Sequence, residues 1–94
     1  MDLVVSYDKA TDKFNAWDLA KAQITPEYVE KFKVKAEIAY DRDGAKMEAT
    51  GKGFTLSLVF DENECKVAIK LSMFLKPLKG KVLEAVENKL KKTI

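Results

Sequence analysis

The residues in this chain whose types and spacing could do chemistry are mostly charged. Lys76, Lys79 and Lys81 crowd around Pro77, Leu78 and Gly80. Ammonium groups at that density suit contact with anionic surface groups, although a solvated lysine face has the same composition. Carboxylates gather at Asp41-x-Asp43-Gly44 and again at Asp61-Glu62-Asn63-Glu64. Calcium would require six to eight oxygens in a defined loop, and the EF-hand spacing is missing. Acid–base work by paired carboxylates would need unequal burial to separate their pKa values, and turns are wet. The chain has no histidine, so Ser-His-Asp and Cys-His catalysis are excluded. Cys65 stands alone, which rules out an intrachain disulfide and a zinc cluster, and it reads as a small buried hydrophobe. Gly51-Lys52-Gly53 is a turn and matches neither glycine-rich phosphate motif. The expectation is a protein that is not an enzyme, with no metal and no cofactor.

Ninety-four residues make one domain, 1–94. The chain is 47% hydrophobic and 34% charged, a balance that folds and excludes disorder. A net charge of +2 hides an asymmetry. From residue 66 onward eight lysines face two acids, whereas the earlier residues carry nine basic side chains against thirteen acids. Nucleic-acid binding is disfavoured, because the last twenty residues hold neither an aromatic nor an arginine to interleave with the lysines. No run of 18 apolar residues occurs, and Met1-Asp2-Leu3-Val4-Val5 lacks the basic start of a signal peptide. The expected location is the cytoplasm.

The elements that must position these residues follow from periodicity. Leu3, Val5 and Tyr7 alternate as a short strand. Phe14, Trp17, Ala20 and Ile24 lay one stripe along a helix that Thr11 or Asp12 caps. Thr25-Pro26 restarts a second, short helix running to about Phe32. From Val34 the period becomes two, and strands with inward Ala36-Ile38-Tyr40, Ala45-Met47-Ala49, Phe54-Leu56-Leu58-Phe60 and Cys65-Val67-Ile69-Leu71 alternate with brief turns. Gly44 is expected to supply positive φ in the first of those turns. Loops so short force antiparallel pairing. Leu75, Leu78, Val82, Val86, Leu90 and Ile94 then recur at helical spacing, with Leu83 widening the stripe. Gly80 inside that helix suggests a bend or a close approach to another element. The fold class is α+β: an antiparallel sheet of four or five strands packed by a long C-terminal helix, in the order β-α-α-β-β-β-β-α. Met47, Met73 and Phe74 are expected in the core; the alternative for Met73 and Phe74, at the strand-to-helix junction, is an exposed apolar pair that touches a partner.

The stretch from about 34 to 92 resembles the polyhydroxyalkanoic acid system proteins, small bacterial proteins named from polyester-granule gene regions. The likeness lies in the glycine turn before Phe54, the strand Thr55-Leu56-Ser57-Leu58-Val59-Phe60 and the acidic turn at 61–64. It continues through Val67-Ala68-Ile69-Lys70-Leu71 and Phe74-Leu75-Lys76-Pro77-Leu78-Lys79-Gly80-Lys81. The resemblance implies a cytoplasmic α+β domain associated with granules and brings no catalytic residues. A looser likeness is to START-type helix-grip domains, which hold apolar ligands between a sheet and a C-terminal helix.

Two functions follow as expectations. One is a non-enzymatic binding module at a granule or other apolar or anionic surface, using Lys76, Pro77, Leu78, Lys79, Gly80 and Lys81. The alternative is a carrier whose apolar ligand is lined by Trp17, Phe54, Leu58, Ile69 and Val82. A homodimer formed through an open strand edge is a further expectation.

Overall fold

The computed structural model describes residues 2–94. Strand β1 (Leu3–Ser6) is followed by helices α1 (Lys13–Gln23) and α2 (Pro26–Glu30). A meander of β2 (Ala36–Asp41), β3 (Lys46–Gly51), β4 (Phe54–Phe60) and β5 (Glu64–Leu71) comes next. A 3-10 turn (Lys76–Leu78) then runs directly into helix α3 (Lys79–Thr93). The element order is the one the periodicity predicts. The sheet has five strands in the order β1-β5-β4-β3-β2, every pair antiparallel, so β1 joins beside the last strand and β2 forms the far edge.

Alternation decides which face is buried. Val5, Cys65, Val67, Ile69, Phe54, Leu56, Leu58, Phe60, Met47 and Ala49 all point to one side and are buried. All three helices cover that side: α3 lies against β1 and β5, α1 against α3 and β4, and α2 against β2. Val82, Val86, Leu90 and Ile94 form the buried stripe of α3. The opposite face of the sheet is open, with Val4 and Val59 among its exposed residues.

Caps set the helix starts. The Asp12 carboxylate accepts the Asn15 N–H at 2.8 Å, which selects Asp12 over Thr11 as the cap of α1. Thr25 Oγ1 accepts from Tyr28 N at 3.1 Å, with Pro26 in the first turn of α2. This helix stops at Glu30, short of Phe32, and Lys33 takes a left-handed φ of 64° on the way into β2.

Two glycine expectations are corrected. In the β2–β3 turn the positive φ falls on Ala45 (50°) and not on Gly44. Gly44 is there for space: its N–H donates to Asp41 Oδ1 at 3.0 Å, and a Cβ would lie 2.5 Å from Asp41 Oδ2. A Cβ on Gly80 would meet nothing within 4 Å, so neither a close approach nor packing explains that residue. It sits in the first turn of α3, where breaks are tolerated better than in a helix interior.

The end of α3 is held by a loop from the other end of the chain. The Ile94 carbonyl oxygen accepts three backbone N–H groups, from Asp8, Lys9 and Ala10, at 2.9, 2.7 and 2.9 Å. The Ile94 side chain is fully buried beneath them.

Candidate functional site

The strand register sets the site. Ala36 pairs with Gly51, Gly51 with Phe54, and Phe54 with Leu71, so the start of β2, the β3–β4 turn and the end of β5 share one end of the sheet. That end carries Lys33, Lys35, Lys52 and Lys76, all exposed. The first turn of α3 adds Lys81, which rims a groove of about 310 Å3 together with Lys31 and Lys33. The floor of the groove is Phe32, Leu78 and Val82. Lysines from the first half of the chain therefore join those of the C-terminal segment. Sequence reading places the positive excess in residues 66–94 alone. The signal it lacked was strand register, which brings residues about twenty apart in sequence to one edge.

The opposite end gathers carboxylates among several cations. Asp41 and Asp43 occupy the β2–β3 turn, Asp61 and Glu62 the β4–β5 turn, and Asp8 and Asp12 the loop after β1. Tyr7 N donates to Asn63 O at 3.0 Å, which fixes that loop beside the β4–β5 turn. Two of these acids are paired there, Glu62 with Lys13 at 3.5 Å and Asp61 with Lys66 at 3.0 Å, and Arg42 of the β2–β3 turn pairs with Asp18 of α1 at 2.9 Å. Strands of this length separate the two ends by about 25 Å, roughly three Debye lengths at physiological salt, so each end acts on its own surroundings. Lys91 and Lys92 lie at the far end of α3, about 18 Å from Lys79, and belong with this opposite end.

The predicted surface residues are brought together, with unequal roles. Lys76, Pro77, Lys79, Gly80 and Lys81 are exposed, and Leu78 is half-buried against the core. Lys79 is already engaged: its ammonium lies 3.0 Å from Asp2 Oδ1, while Asp2 Oδ2 accepts the Ile69 N–H at 2.9 Å. The Ile69 hydrogen bond and then Lys79 hold the Asp2 carboxyl below the usual carboxylate range. Lys76 and Lys81 have no ion-pair partner among the described residues. Pro77 lies inside the 3-10 turn that carries Lys76 and leads into α3, which carries Lys81.

Met73 and Phe74 overturn an expectation. Both were expected in the core, yet they are 85% and 95% exposed. The half-buried residue of that turn is Leu75. The strand pattern ends at Leu71 and the helical pattern begins at Leu75, so neither period assigns Met73 or Phe74.

Trp17, Phe54, Leu58, Ile69 and Val82 all belong to the packed interior, at 1 to 6% exposure. Trp17 Nε1 donates to Lys46 O at 2.9 Å, which makes it a brace between α1 and β3. Val82 alone also edges the lysine-rimmed groove. The aromatic neighbours differ: Phe14 is half-buried with the Arg42 guanidinium 5.3 Å from its ring centre, and the Tyr28 hydroxyl is buried without a hydrogen-bond partner.

Among the described residues no three His, Cys, Asp or Glu side chains converge as metal ligands, and no helix is long and apolar enough to cross a membrane. Cys65 is fully buried, and burial, with a smaller contribution from Asp61, pushes its thiol up to about 12. A raised value keeps the sulfur protonated at pH 8, where only a thiolate attacks. Native protein should therefore consume no dithionitrobenzoate at pH 8 over minutes, and denaturant should release one thiol per chain. Rapid reaction without denaturant would contradict this packing.

Comparison with protein families matches residues 10–94 to the family described as polyhydroxyalkanoic acid system protein. The likeness read from 34 to 92 thus extends through α1 and α2. Comparison with curated proteins and with solved structures finds no match.

Proposed function

The chain belongs to the polyhydroxyalkanoic acid system proteins, and on that premise we propose that it is a non-enzymatic binding module acting in the cytoplasm at the surface of polyester granules or a comparable apolar assembly with an anionic coat. The observation that carries this reading is the gathering of lysines at one end of the sheet, all but Lys79 outside any ion pair among the described residues. Ammonium groups clustered on one end, with the other end of mixed sign, give the domain a preferred approach to a negatively charged surface. The close packing of the space between sheet and α3 favours this reading over carriage of a ligand there.

The test is localisation in cells that accumulate polyester. Tagged protein should enrich at granules under the microscope and remain with them through purification, then release as salt is raised. A diffuse signal, with no enrichment in isolated granules, would remove the reading.

A further inference from the structure

We propose that the Met73–Phe74 turn is a wedge that enters the acyl region of an anionic lipid layer, with the surrounding lysines seated at the headgroups. This rests on the surface-binding reading above and names the chemistry of the coat. Single exposed hydrophobes are ordinary, but two large consecutive ones, 85% and 95% exposed at the tip of an element, are not. Their setting is rigid. Ser72 N donates to Gly53 O at 2.8 Å, and Leu75 N and Lys76 N both donate to Ser72 O, at 3.0 and 2.9 Å. Gly53, at φ 72°, leaves room for the Ser72 side chain that a Cβ would strike at 2.7 Å. Leu75 packs on the core and Pro77 fixes the exit. A turn already held in shape loses little conformational freedom on insertion.

Charge complementarity selects the occupant. Lys52 flanks the wedge from the neighbouring turn, and Lys76 and Lys81 follow it in the chain. Long lysine stems let ammonium groups remain level with phosphates while an adjacent apolar pair goes deeper. A bare polyester surface would accept Phe74 and Met73 but would leave these cations unmatched.

The experiment places an environment-sensitive nitrobenzoxadiazole label at M73C, the buried Cys65 being shielded from the reagent. With vesicles containing phosphatidylglycerol, emission should rise and shift to the blue; with phosphatidylcholine alone it should not. Full-length M73S/F74S should keep its melting temperature, since both side chains are already in water, and should lose roughly a hundredfold in partition onto the anionic vesicles. The proposal is overturned if the label stays water-like on vesicle-bound protein, or if the double serine variant binds within about twofold of its parent. Capture by bare polyester particles without vesicle binding overturns the lipid wedge and leaves surface association standing. Vesicle insertion by a protein that ignores granules in cells supports the wedge and removes the granule reading.

Discussion

A chain carrying both Lys76→Glu and Lys81→Glu should no longer attach to anionic-coated granules or vesicles. Each lysine near such a surface contributes about 1 kcal/mol, and reversal replaces an attraction with a repulsion of similar size. Two reversals therefore remove about 4 kcal/mol, on the order of a thousandfold in affinity. The fold should not notice, because both side chains are exposed and outside any ion pair among the described residues. Lys91→Glu with Lys92→Glu is the matched control. It changes net charge equally but at the other end of α3, and should weaken attachment by much less. Co-sedimentation with phosphatidylglycerol vesicles reads both. Equal losses for the two pairs would mean that net charge, and not the lysine-rich end, governs attachment.

Leu90→Ala should be the most damaging change to stability among the α3 positions. Leu90 is completely buried near the end of the stripe formed with Val82, Val86 and Ile94. Removing three buried carbons forfeits their transfer free energy and leaves a void that neighbours only partly fill, about 2 to 5 kcal/mol in comparable cores. A domain of this size has only about 5 to 15 kcal/mol in hand, so the melting midpoint should fall by 10 °C or more. Because α3 carries the lysine-bearing turn, binding should weaken on heating in step with that midpoint. Chemical denaturation gives the free energy, and a loss below about 1 kcal/mol would show that α3 is held by something other than this stripe.

The meander was legible because each strand writes its own alternation. Phe54, Leu56, Leu58 and Phe60 could not share a face in any helix, and the intervening turns are too short for a crossover. The caps at Asp12 and Thr25 were legible for a local reason: a side chain that accepts a nearby N–H is a matter of three or four residues. What escaped was set by distant neighbours or fell between periods. The basic end depends on Lys33, Lys35 and Lys52 arriving beside Lys76 through strand register. Met73 and Phe74 occupy the gap between a period of two and a period of 3.6, where hydrophobicity alone suggested burial. Gly44 was given the left-handed role that Ala45 holds, because composition marks a turn without saying which residue carries its strain.

The Ile94 oxygen and the three amides that grip it are separated by almost the whole chain. The meander can pair as each hairpin is made, since its contacts are local. The amides of Asp8, Lys9 and Ala10 have no such option. On the ribosome they must wait until residue 94 has emerged from the exit tunnel. Closure of this domain thus waits for a residue made more than eighty positions after the loop that grips it.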